Sequence, residues 1–191
     1  MLRTHTCGQL TADDAGKRVV LAGWVHSIRD HGGLTFIDVR DRYGVTQAVV
    51  SPSECPADLA ATVRELRPEW VVLISGTVAM RPEETVNPAI STGAVEVRID
   101  GVEVLNRCRT LPFDVSSGEE PNEALRLTHR HLDLRRGRLL RVLELRSRFA
   151  FAVRQALLDE GFVEVETPML TRSTPEGARD FLVPARLAPG S

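Results

Sequence analysis

Lysine is nearly missing: of 24 basic residues in 191, all but Lys17 are arginine. That bias says little about function, because genome base composition produces it as readily as a demand for phosphate contacts, which arginine suits. Cysteine is scarce too. Cys7, Cys55 and Cys108 are far apart, odd in number and form no CxxC pair, which excludes a disulfide framework or a zinc site and fits reduced thiols in the cytoplasm. The net charge is only −2, so nothing pulls the whole chain toward nucleic acid, and any RNA or DNA site must be a local patch. No apolar run approaches the roughly 20 residues of a membrane span. The opening "MLRTHTCGQL" also lacks the apolar core of a secretory leader.

What remains is ordinary for a globular chain, 42% hydrophobic and 26% charged, and its punctuation divides it. Up to about residue 106 the chain reads as short strands with turn signals between them. The strands are "RVVLAGWVHSIR" (18–29), "LTFIDVRD" (34–41), "VTQAVV" (45–50), "EWVVLISGTVAMRP" (69–82) and "AVEVRIDGVEVLN" (94–106). Between the third and fourth, "CPADLAATVRELRP" (55–68) spaces Leu59, Val63 and Leu66 as a helix does and stops at Pro68. Five strands with one helix in that place is the order of an OB-fold, a Greek-key barrel that binds oligonucleotides on one face. Periodicity alone leaves other small barrels open.

Residues 107–124 are rich in Pro, Ser, Glu and Asp and read as a linker. Gly137 then divides an arginine-rich stretch. From Leu139 a helical stripe of Val142, Leu145, Phe149, Val153 and Ala156 runs to a glycine stop at Gly161. "FVEVETP" (162–168) alternates as a short strand ending at Pro168. From Arg126 to Arg148 eight arginines face two acids, Asp133 and Glu144, a local +6. Such a stretch meets a phosphate backbone, or its arginines pair with carboxylates elsewhere in the fold.

Three residues on the strands point to chemistry. If Thr35, Ile37 and Val39 face the core, Phe36 is an aromatic on the outer face, where unpaired bases stack. Arg29 ends the preceding strand and Gln47 lies in the next; a guanidinium and an amide beside a ring read base edges and hold phosphate. The alternative is that Phe36 covers a barrel end and Gln47 is a solvated strand residue. His31, in "RDHGG", is a turn histidine at the same barrel edge. Near the C-terminus, "STPEGARDFLVPAR" (173–186) sets Glu176 between Pro175 and Gly177, a loop able to swing a carboxylate toward a ligand amine; Arg179 and Asp180 share it. The alternative is a solvated connection.

Taken in order, "GWVHSIRDHGGLTFIDVRDRYGVTQAVV", "LRLTHRHLDLRR", "GFVEVETPML" and "STPEGARDFLVPAR" resemble the N-terminal part of bacterial aspartyl-tRNA synthetases, within the aspartate, asparagine and lysine subgroup of class II. The resemblance covers essentially the whole chain, and "STPEGARDFLVP" is its most specific element. It implies an OB-fold anticodon-binding domain over 1–106 and a hinge over 107–135 that touches tRNA. Residues 136–191 become the start of a class II antiparallel-sheet domain.

It also implies that Phe36 stacks on the central anticodon base and that Gln47 reads that base with Arg29 nearby. The helix and strand ending at Pro168 become the homodimer motif, and Glu176 contacts the ammonium of L-aspartate. The partners implied are tRNA-Asp, tRNA-Asn in some members, L-aspartate and a second copy of the chain, in the cytoplasm and away from membranes. ATP and Mg2+ belong to the complete enzyme, an aspartate–tRNA ligase. The segments that hold them, motifs 2 and 3, do not occur within these residues, so no catalytic residue is expected here and the chain alone is expected to be inactive. A truncated paralogue that binds tRNA or dimerises is the other reading. The family's run of arginines before the turn at 30–33 is reduced here to Arg29. His31 at that turn is expected to tolerate either third anticodon base.

Overall fold

The computed structural model describes residues 2–170 together with Val183 and Leu187. The chain divides into two compact units, Met1–Leu143 and Glu144–Ser191. In the first, β1 (Arg18–His31), β2 (Leu34–Arg40), β3 (Val45–Val50), β4 (Val71–Met80) and β5 (Val95–Asn106) form a closed barrel in the order β1-β2-β3-β5-β4. α1 (Ala57–Glu65) lies between β3 and β4, as the sequence pattern predicts.

β1 is long enough to serve two neighbours. Arg18 to Trp24 pair with β4, and Trp24 to His31 pair with β2. A bulge between Val25 and Ser27 bends the strand where it changes partner, which is how a short sheet curls into a ring. All ladders are antiparallel except β3 with β5, which pair in parallel at Ala48–Val97 and Val49–Arg98 and close the ring. The β1–β2 hairpin turns on Gly32 and Gly33, with φ of +59° and +80°. A two-residue turn with both φ positive matches the strand twist, and glycine enters it without penalty.

Alternation explains the core. Thr35, Ile37 and Val39 of β2 are buried while the residues between them are not. Val19, Leu21 and Val25 of β1 and Val72, Ile74 and Val78 of β4 join them, and α1 adds Leu59 and Val63. β3 departs from the pattern, because every residue from Thr46 to Val50 is buried. Gln47 is therefore not a solvated strand residue: it is 8% exposed.

The N-terminal segment is stitched on by Asp41, in the β2–β3 turn. One carboxylate oxygen accepts from the Cys7 amide at 3.0 Å and from Arg3 at 2.8 Å; the other accepts from the amides of Tyr43 and Gly44 at 2.7 and 3.1 Å. Thr46 donates to the Cys7 carbonyl at 2.7 Å. Gly8 permits this contact, since a β-carbon there would lie 2.2 Å from the Tyr43 carbonyl oxygen. Cys7 is fully buried, and burial, reinforced by Asp41, pushes its thiol up to about 12.

After β5 come α2 (Glu123–Thr128), capped by the Asn122 side chain on the Leu125 amide, and α3 (Arg130–Asp133). These linker helices lie in the barrel's unit. α4 (Gly137–Asp159) ends as expected at Gly161, φ +83°. The Gly161 amide bonds Leu158 O and the Phe162 amide bonds Leu157 O, both at 3.0 Å, the paired closure of a Schellman cap. Residues 163–168 form no strand. Alternation marks a segment able to pair, but a strand exists only against a partner, and none of the described residues pairs with it.

Two outcomes are expected. Asp41→Ala strands the Cys7, Tyr43 and Gly44 amides and costs about 2–3 kcal/mol, read by denaturant unfolding. In the folded chain at pH 8 an aromatic disulfide reagent titrates Cys55 and Cys108, both partly exposed, before Cys7. Because the folded Cys7 value is raised, its contribution to stability is complete below the unfolded thiol value and is lost as pH climbs toward about 12.

Candidate nucleic-acid interface

Strand register sets the site. Arg29 lies opposite Phe36, Phe36 opposite Val49, Ser27 opposite Asp38 and Asp38 opposite Gln47. Opposed residues share a face, so Arg29, Phe36, Asp38 and Gln47 stand together on the outer surface of β1, β2 and β3. His31, opposite Leu34, is on the same face two residues beyond Arg29, about 7 Å along the strand. It is exposed at the hairpin tip.

A line of hydrogen bonds fixes the polar members. Asp38 accepts from Ser27 at 2.6 Å and from Arg29 Nη2 at 3.0 Å. The same Nη2 reaches Gln47 Oε1 at 3.4 Å, and Gln47 Nε2 donates to Glu96 Oε2 on β5 at 3.1 Å. Both ends of the amide are thus oriented, and each keeps capacity for one more bond. Arg29 is held on one side while its side chain stays 58% exposed. The half-buried Phe36 ring sits beside this line.

Arg29, Asp38 and Gln47 also border a cleft of about 330 Å3 with His26, Thr85, Asn87 and Arg81. Arg81, just beyond β4, is 7% exposed. Its Nε donates to Val95 O at 2.9 Å and its Nη1 to Thr85 O at 3.4 Å, but its Nη2 is buried with no partner. Desolvation lowers its pKa, opposed by the charges of Glu96 and Asp38. A buried cationic donor with a free N–H, beside an oriented amide, suits an acceptor such as a base carbonyl or a phosphate oxygen.

Sequence reasoning reached Arg29, His31, Phe36 and Gln47 but not Asp38, Glu96 or Arg81. Asp38 and Glu96 carried one signal, a charge at an outward position of an alternating strand. Arg81 carried none, because its placement depends on the β4–β5 connection. Pro168 is exposed in irregular chain. Glu176 lies outside the described residues.

The arginine-rich stretch resolves toward ion pairing. Asp133 is 1% exposed and meets Arg130 at 2.6 Å, Arg126 at 3.1 Å and Arg136 at 3.9 Å. Arg136 also donates to Glu119 O at 2.6 Å, Arg138 reaches Glu120 at 3.4 Å, and Arg135 reaches Glu69 at 2.6 Å. Five of the eight arginines are therefore engaged inside the unit, three of them by Asp133 of the stretch itself, while Glu69 and Glu120 are the carboxylates that reach them from outside it. Among the described residues no group of three or more His, Cys, Asp or Glu converges on a metal position.

An OB-fold nucleic-acid-binding domain model matches residues 19–105, and a model for class II tRNA synthetases of the D, K and N group matches 122–191. The chain belongs with those synthetases, as a barrel joined to the beginning of their catalytic domain. It is equivalent to the N-terminal part of a bacterial-type aspartyl-tRNA synthetase. It is 56% identical over 188 residues to the aspartate–tRNA(Asp/Asn) ligase of Moorella thermoacetica, covering 98% of this chain and 31% of that protein. It is 53% identical over 190 residues to the enzyme of the same description from Thermotoga maritima, covering 100% and 32%. The chain thus spans about a third of the length of the curated relatives it matches. Among solved structures it is similar to the asparaginyl-tRNA synthetase of Pyrococcus horikoshii complexed with asparaginyl-adenylate. The TM-score is 0.77 at 27% identity, over 93% of this chain and 39% of that one.

Replacing Arg81 by Met exchanges a buried cation with an unpartnered donor for an apolar side chain of comparable reach. Thermal unfolding is expected to change by no more than about 1 kcal/mol in either direction, because the relief of the unpaired donor offsets the lost bond to Val95.

Proposed function

We propose that this chain is the anticodon-binding portion of an aspartate–tRNA ligase. The complete enzyme joins L-aspartate to ATP as aspartyl-adenylate and passes it to tRNA-Asp. The observation that carries the reading is the outer barrel face. There a half-buried ring on β2 stands on the same face as an amide oriented by Arg29 and Glu96, and that amide borders the cleft that Arg81 lines.

Each group has a task that its chemistry suits. The Phe36 ring stacks on the unstacked central anticodon base. Gln47 offers a donor and an acceptor side by side, the pattern that a uracil edge complements. Arg29, tethered by Asp38, keeps its outer nitrogens for a phosphate or a base carbonyl. Arg81 supplies a charged donor to an adjacent nucleotide and Glu96 an acceptor. His31, one nucleotide spacing along the strand, meets the third anticodon base and accepts more than one there, so tRNA-Asn is a substrate as well. The two relatives described as aspartate–tRNA(Asp/Asn) ligases favour that.

The remaining assignments rest on the family. Glu176 pairs with the ammonium of aspartate in a closed pocket, where one charge met by another suits a poorly hydrated site. α4 and Pro168 belong to a homodimer interface. Its exposed Leu145, Phe149, Phe151, Leu157 and Leu158 are apolar surface of the kind a second copy covers. ATP and Mg2+ are held by parts of the enzyme other than the residues described here, and the protein works in the cytoplasm.

Phe36→Ala is expected to weaken binding of the aspartate anticodon stem-loop about 5- to 150-fold by fluorescence anisotropy, with the circular dichroism spectrum unchanged. Unaltered affinity would remove the base-stacking assignment. The 191-residue chain is expected to give no ATP–pyrophosphate exchange, and a clear aspartate-dependent signal overturns that. The complete enzyme is expected to charge both transcripts, and strict rejection of tRNA-Asn removes the role given to His31.

A further inference from the structure

We propose that Glu69 is a positioning residue, a two-headed clamp that fixes the linker to the barrel. It stands between α1 and β4 and has φ +66°, the one positive value among described residues other than glycine. A residue with a β-carbon rarely adopts that conformation, and where one does the surroundings must enforce it. Here the enforcement is visible. The Glu69 amide donates to Val25 O at 2.7 Å, and the Val25 amide donates to Trp70 O at 2.9 Å, which pins this turn to the β1 bulge.

So held, the carboxylate engages two arginines from different parts of the unit. One oxygen takes Arg40 of β2, and the other takes Arg135 of the linker at 2.6 Å. The Glu69 side chain is 12% exposed, and those of Arg40 and Arg135 are 17% and 26% exposed. Arg135 also lies 4.1 Å over the Trp24 ring, and Trp24 is the cross-strand partner of Arg40. The linker arginine is thus held between a carboxylate and an indole face, both presented by the barrel. Arg40 contacts His26 Nδ1 at 3.1 Å as well, so the barrel side is tied down independently of the linker.

A second node shows that the clamp is not what shapes the linker. Asp133 gathers Arg126, Arg130 and Arg136, all within the linker and the residue preceding α4. Asp133 holds the linker's own form, and Glu69 holds that form against the barrel. Division of the work between two carboxylates means that the attachment can be broken while the parts survive.

The test is amide hydrogen exchange, read segment by segment, on the 191-residue chain carrying Glu69→Gly, Glu69→Gln or Arg135→Ala. Glycine relieves the backbone at position 69 and deletes the clamp. The expected result is a melting temperature equal to or above that of the parent, with exchange over residues 123–135 at least ten-fold faster and β1 to β5 protected as before. Glutamine keeps one acceptor and turns the other oxygen into a donor that cannot face an arginine, so it is expected to fall between parent and glycine. Arg135→Ala is expected to match the linker exchange of the glycine variant without touching the strained turn. Unchanged linker exchange in both Glu69→Gly and Arg135→Ala overturns the proposal. So does an equal loss of protection throughout barrel and linker. The readout involves no RNA, so its outcome stands apart from the function proposed above.

Discussion

The parallel contact of β3 with β5 is the constraint on which the rest depends. It is short, with Ala48 against Val97 and Val49 against Arg98, yet it turns a curved sheet into a ring. It also delivers Glu96, the neighbour of Val97, to Gln47, the neighbour of Ala48. Without closure the Gln47 nitrogen loses its acceptor, and the line from Ser27 through Asp38 and Arg29 ends at an amide held only through its oxygen. The arrangement of this face is thus a product of barrel closure rather than of any one strand.

The barrel strands and α1 were legible because burial imposes a period of two on strands and of about 3.6 on a helix, and turn residues mark the ends. β2 shows this most directly: its inward Thr35, Ile37 and Val39 follow from alternation alone. Alternation fails where a strand is covered on both faces. β3 is such a strand, and so the burial of Gln47 was not foreseeable from its neighbours in sequence. The stretch 162–168 fails in the opposite way, with a strand pattern but no pairing partner among the described residues. Arg29, Phe36 and Gln47 were singled out as types that meet RNA, and family resemblance sharpened them. Asp38, Glu96 and Arg81 were not, because each acquires its role through a contact made across the sheet.

Charge in this molecule is used locally. The arginines that accumulate after residue 125 suggest a surface for polyanions, but buried Asp133 and half-hidden Glu69 engage many of them. Arg29, from a region of unremarkable composition, stays largely exposed, and Arg81 keeps an Nη2 without a partner. The counting of charges along a sequence inverts this distribution, because it cannot see which guanidinium groups have partners.

The glycine pair that turns the β1–β2 hairpin has a further consequence. A β-carbon at Gly32 or Gly33 would meet nothing within 4 Å, so it is the positive φ of the turn and not crowding that favours glycine there. The neighbouring side chain of His31 is exposed. An exposed side chain at a hairpin tip is exchanged with little toll on folding, so the rim of the barrel can vary in evolution while the scaffold beneath it stays unaltered.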